Sequence, residues 1–103
     1  KEQAFKELGL TLATISDSLK KRFDLDDDAK GVVVTKVVAD GPASAKEIRP
    51  GDVIIEVSQE EINSPAEVQR KIKEAVKAKR KSVLLHLEGQ NGLRFVAIRL
   101  KKK

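Results

Sequence analysis

The sequence predicts a small antiparallel β-barrel or sandwich of five or six short strands, capped by one substantial helix and two short ones. Three observations predict it. Short runs rich in β-branched and aliphatic residues recur between turn signals, as in Gly31–Val38, Val53–Val57, Val83–Leu87 and Leu93–Leu100. One segment, from Ser64, carries a strong helix start followed by apolar residues at helical spacing. The 103-residue length suits one domain with one core.

Taken in order, residues 1–7 read as a linker or a short helical lead-in. Leu8 to Ile15 alternates apolar with small or polar residues, which places Leu10 and Leu12 on one face of a half-buried strand. Ser16 is positioned to cap a short helix ending near Phe23, with Leu19 and Phe23 on one side. Gly31 to Val38 is a strand by composition. Pro42 sits at a first helical position, opening a short helix to about Glu47. Arg49-Pro50-Gly51-Asp52 is a turn: proline presets φ and glycine supplies the positive φ of a type II turn. Val53–Val57 follows as a strand, and Ser58 to Ile62 reads as a turn with a short strand beyond it.

In Ser64-Pro65-Ala66-Glu67, Ser64 caps, Pro65 occupies the first helical position and Glu67 can close a capping box. Val68, Ile72, Ala75 and Val76 continue the pattern to about Lys77, where positive charge suits the negative helix end. Val83–Leu87 and Leu93–Leu100 are strands joined by a hairpin turn at Gly89-Gln90-Asn91-Gly92.

Composition excludes much chemistry. The chain has no Cys, so disulfides, thiolate metal sites and cysteine nucleophiles are ruled out. No apolar run approaches the roughly 18 residues of a membrane span, and no membrane insertion is expected. The net charge of +5 comes from a cluster at Lys77, Lys79, Arg80 and Lys81 and from a basic tail, 101–103. Aromatic stacking platforms are missing, and no nucleic-acid partner is expected. His86 is the single histidine and lies on an otherwise apolar strand, where a structural role is expected. No serine stands in a nucleophile elbow. Asp24, Asp26 and Asp28 imitate the start of a calcium loop, but Ala29 replaces its turn glycine and Thr35 its closing glutamate. No catalytic residue, metal ligand or cofactor is expected in this chain.

What remains is binding chemistry. Leu8-Gly9-Leu10 places a glycine between two large aliphatics just before a strand, so that successive backbone N–H groups can converge on an anion such as a peptide's terminal carboxylate. The strand Leu10–Ala13 is then expected to offer an open edge to an extended peptide, with the helix from Pro65 as the opposite wall.

With these elements in place, the chain resembles a PDZ domain, specifically the circularly permuted type of HtrA/Do-like (DegP-like) bacterial serine proteases. The resemblance rests on Glu7-Leu8-Gly9-Leu10, Gly31-Val32-Val33-Val34, Gly41-Pro42-Ala43, Ile48-Arg49-Pro50-Gly51-Asp52-Val53-Ile54, the helix from Ser64 and the closing hairpin. It covers residues 8–100. The ending Leu93–Leu100 looks like the carboxyl end of such a protease, and the resemblance implies its second, C-terminal PDZ domain. The resemblance implies a module that binds hydrophobic C-termini or unfolded segments for an attached periplasmic serine endopeptidase in protein quality control. It also implies the parent's protease domain and other PDZ domains as partners. The alternative it leaves is an oligomer-assembly or regulatory contact domain with little peptide binding.

By the same resemblance, Leu8, Gly9 and Leu10 form the carboxylate loop. Leu10, Thr11, Leu12 and Ala13 form the peptide-binding strand and pocket. Val68, Gln69 and Ile72 face the groove from the helix. Leu10, Leu12, Val68 and Ile72 are also what an ordinary core would use, and composition does not separate the two roles. Pro65 stands where some PDZ domains place a histidine, which argues against a preference for a hydroxyl-bearing residue two positions before the peptide's end.

Overall fold

The structure, a computed structural model, describes residues 2–89 and 92–100. Ten elements follow one another: β1 (Glu2–Phe5), β2 (Leu10–Thr14), α1 (Asp17–Phe23), β3 (Val32–Val37), α2 (Pro42–Ala45), β4 (Val53–Val57), β5 (Glu60–Glu61), α3 (Pro65–Lys77), β6 (Ser82–Gly89) and β7 (Gly92–Arg99). Every strand pairing is antiparallel, in the order β1-β2-β3-β4-β6-β7, with β5 paired to β4. The end strands β1 and β7 do not pair, so the sheet curls around a core without closing into a barrel.

Seven strands stand where five or six were expected, and β1 accounts for the most consequential difference. Residues 1–7 read as a linker or helical lead-in, yet Glu2–Phe5 is a strand. Glu, Gln and Ala are poor strand formers, so local propensity argues against it. The strand exists because Phe5 is buried, at 1% exposure, and because β2 supplies a partner in the register Phe5↔Leu10, Ala4↔Thr11, Gln3↔Leu12 and Glu2↔Ala13.

The sheet is covered on both faces. One face builds the main core from Leu10, Leu12, Val34, Ile54, Leu85, Leu87 and Ile98 together with Val68, Ile72 and Ala75 of α3. The other face carries a smaller cluster of Ala13, Val33 and Val53, with Leu19 and Phe23 of α1 packed over it. Being covered twice, β3 reads as an unbroken run, Val32-Val33-Val34-Thr35, with every member buried. A register shift between Thr11 and Leu12 bends β2 beside its neighbour.

The local signals have identifiable outcomes. Ser16 Oγ accepts from Leu19 N at 3.3 Å and starts α1, which ends at Asp24 in the left-handed conformation. Gly51 has φ +100°, and Asp52 N donates to Arg49 O at 3.1 Å, closing the expected type II turn. Ser64 Oγ accepts from Glu67 N at 3.3 Å, and Glu67 Oε1 accepts from Asn63 N at 2.6 Å. The carboxylate thus closes on the residue before the cap rather than on the cap itself. Val76 of α3, expected on the apolar side, is exposed, while Val68, Ile72 and Ala75 are buried. The turn between β6 and β7 at Gln90-Asn91 and the 101–103 tail lie outside the described residues.

Candidate peptide groove

The loop Lys6–Gly9 joins β1 to β2, and its main chain is held from two sides. On one side, Leu8 O accepts from Ala43 N at 3.0 Å and Gly9 O accepts from Val38 N at 2.9 Å. These bonds fix the loop to the start of α2 and the end of β3. A trans peptide unit points its N–H opposite its carbonyl. Anchoring the Leu8 carbonyl therefore turns the Gly9 N–H the other way, and there it meets Phe5 O at 2.8 Å. Leu8 N donates to the same oxygen at 3.1 Å. Two donors thus converge on one acceptor.

Gly9 is required on two counts. Its φ is +74°, and a Cβ there would lie 3.0 Å from Pro42 Cδ. The glycine lets the loop approach α2 closely enough for the Ala43 and Val38 bonds to form. Leu8, at 0% exposure, anchors the loop in the core.

The remaining predicted residues come together around β2 and α3. Leu10, Leu12, Val68 and Ile72 all belong to the main core cluster, and Phe5 belongs to it with them. Helix α3 lies against β1, β2 and β6. Gln69 is half-buried and accepts a hydrogen bond from Gln3 Nε2 at 2.9 Å, which ties α3 to β1. Thr11, half-buried, offers its carbonyl to Thr35 Oγ1 at 3.4 Å. Ala13 faces the second cluster rather than the groove.

The open edge expected at Leu10–Ala13 is therefore not open in this conformation. β1 pairs along it, the Leu8 and Gly9 donors are engaged by Phe5 O, and Phe5 is buried in the same core cluster as Leu10, Leu12, Val68 and Ile72. Sequence reasoning missed Phe5 and Gln3. The one available signal was an isolated aromatic residue in an otherwise polar lead-in.

A cavity of about 680 Å³ lies away from this region, between α1, the Arg49–Val53 turn and the start of β7. Two of its charged side chains, Asp52 and Arg94, are engaged within its walls. Asp52 Oδ2 accepts from Arg49 N at 3.1 Å and lies 3.6 Å from Arg94 Nη2, while Arg94 donates to Glu47 O at 3.0 Å. These bonds tie β7 to the turn and describe a structural cross-link. His86 likewise has a structural setting. Its ring stacks on Phe95 with centroids 4.3 Å apart, and its Nδ1 lies 3.5 Å from Glu56 Oε1.

Comparison with known proteins decides the family. The PDZ domain family matches residues 2–88. This chain is a PDZ domain. Its relatives include proteins named as probable periplasmic DegP-like serine endoproteases. The one from Pseudomonas fluorescens is 36% identical over 101 residues, covering 96% of this chain and 20% of the relative. The one from Rhizobium meliloti is 32% identical over 97 residues, 94% of this chain and 17% of the relative. The one from Brucella suis is 42% identical over 72 residues, 70% of this chain and 14% of the relative. The chain thus spans a fifth or less of the length of these relatives. Among solved structures, the HtrA3 PDZ domain bound to a phage-derived ligand (FGRWV) superposes with a TM-score of 0.64 at 23% identity, covering 100% of this chain and 88% of that one. The HtrA-type protease AlgW with decapeptide gives a TM-score of 0.70 at 21% identity, over 93% and 29% of the two chains. These likenesses establish the fold. The PDZ domain is a non-catalytic module, and its relatives are named as endoproteases.

Proposed function

We propose that this PDZ domain recruits polypeptides by their hydrophobic carboxyl ends to a serine endopeptidase carried by the same parent chain. It would do so as that protein's C-terminal PDZ domain, in periplasmic protein quality control. The names of the relatives support the attached protease and the compartment. Within this chain one observation carries the reading. The Leu8 and Gly9 N–H groups converge on a single oxygen, that of Phe5, at the loop before β2, and Phe5 belongs to the apolar cluster that includes Leu10, Leu12, Val68 and Ile72. A terminal carboxylate placed at that oxygen would gain charge-assisted hydrogen bonds, and its side chain would enter that cluster. The peptide main chain would add to β2, with Thr11 and Ala13 on the same strand and Gln69 reaching it from α3.

The test compares two forms of each of a panel of short peptides ending in Val, Leu or Phe, one with a free and one with an amidated carboxyl terminus. Amidation removes the charge the donors address, so it should weaken binding by about tenfold or more, consistent with the roughly 1.5–3 kcal/mol of a hydrogen bond to a charged group. Backbone amide signals of Leu8, Gly9 and Leu10 should shift with the free form.

A second reading has its own support. Because β1 already lies along β2, the domain would serve as an assembly or regulatory contact whose groove stays shut. Failure of both peptide forms to move the Gly9 signal, under conditions that release β1, would favour that reading.

A further inference from the structure

We propose that the Glu2–Phe5 strand is an internal substitute for the guest peptide, so that the groove is self-occupied and binding proceeds by displacement. The inference rests on the peptide-binding reading above and assigns its regulation.

The strand reproduces what a guest would do at each position. It runs antiparallel to β2 and ends, in the chain direction, at the loop. Phe5 is the residue at that end. Its carbonyl oxygen takes the Leu8 and Gly9 donors where a terminal carboxylate would lie, and its ring is buried within the cluster that includes Leu10, Leu12, Val68 and Ile72. Two residues earlier, on the same face, Gln3 reaches α3 through Gln69 at 2.9 Å. Glu2 and Ala4, on the alternate face, are exposed.

Two features make this occupant removable. The strand is four residues long, contributes one buried side chain, and has a composition unsuited to a strand. Such a segment belongs to the low-stability end of a fold's local openings. The receptor, by contrast, does not depend on it. The Leu8 carbonyl is fixed by Ala43 N, which belongs to another element, so the Gly9 N–H on the same peptide unit stays aimed when Phe5 leaves. A tethered occupant of this kind lowers the apparent affinity for a free peptide by the fraction of molecules in which it is released.

The experiment uses the 103-residue chain and a fluorescein-labelled pentapeptide of residues 1–5, Lys-Glu-Gln-Ala-Phe, with a free carboxyl terminus. Three proteins are titrated: the unaltered chain, Phe5→Ala, and the double variant Ala4→Cys/Thr11→Cys. The last pair are direct cross-strand partners within disulfide reach, in a chain with no other Cys. Phe5→Ala should bind the peptide about tenfold tighter or more than the unaltered chain, as expected when release of the occupant becomes easier. The oxidised double variant should show no binding, and reduction of the same protein should restore it.

Four results would overturn the proposal. Phe5→Ala could lose its fold, which would make β1 an obligatory part of the core. It could stay folded yet bind no tighter, or the oxidised and reduced double variants could bind alike; either would place the binding site elsewhere than under β1. In that case the peptide-binding reading survives if amidation of the peptide still weakens the complex. Absence of binding by every form, Phe5→Ala and the reduced double variant included, removes both proposals together.

Discussion

The two ends of the sheet are built differently. At one end, β7 pairs with β6 without interruption from Ser82↔Arg99 to Gly89↔Gly92. It places Val96 and Ile98 in the core, and Leu100 follows them there. At the other end, β1 offers four residues, of which Phe5 alone belongs to the core. Both are edge strands with antiparallel ladders. What separates them is the number of inward apolar side chains per strand. A buried side chain of this kind contributes about 1.5–3 kcal/mol, so β7 is held at several points and β1 at one. Permanence in a sheet therefore follows from the inward-facing residues, and the ladder alone does not confer it.

The comparison is sharpest at the β6–β7 end. Ile98→Ala, at a site with 0% exposure, should lower global stability by about 2–5 kcal/mol, as for other large truncations in a packed core. Urea unfolding measures it, and a loss below about 1 kcal/mol, well under the core range, would erase the distinction. Phe5→Ala should cost distinctly less than Ile98→Ala in the same experiment, although phenylalanine is the larger side chain. The reason is thermodynamic: once β1 detaches, the rest of the fold persists, so the mutation cannot cost more than the opening it replaces. Equal losses at the two positions would mean that the ends are alike. The smallest effect belongs to the outer face of β7. Phe95 is 59% exposed and stacks on His86 across the strand pair. Phe95→Ser should cost no more than about 0.5–1 kcal/mol, the scale of one cross-strand aromatic pair. A larger loss would show that the exposed face contributes to the fold's cohesion.

How much of this was legible depended on how local each cause was. Ser64-Pro65 and Arg49-Pro50-Gly51 announce a helix start and a turn because cap, proline and glycine act within a few residues of themselves. The turn at Ser58-Gln59 was expected in place, but its left-handed backbone was not legible: both residues take positive φ, 54° and 68°, without being Gly or Asn. Strand β1 was hidden for the opposite reason. Nothing in Glu2-Gln3-Ala4 favours an extended chain, and its pairing comes from β2 and α3, which is distant information for those residues. Leu10, Leu12, Val68 and Ile72 were identified as a set without their role being decided. In the structure all four lie with Phe5 in one buried core cluster, so burial alone does not separate the two roles.

The anchoring of Leu8 and Gly9 through their carbonyls has a consequence for how such a domain can diversify. On the proposed reading, the group that receives a peptide's end would be main chain, whereas the stretch that competes for it is four side chains long. Tuning the threshold for engagement would then need changes only in that leading stretch. The receiving surface could stay constant while related proteins drift in how readily they respond.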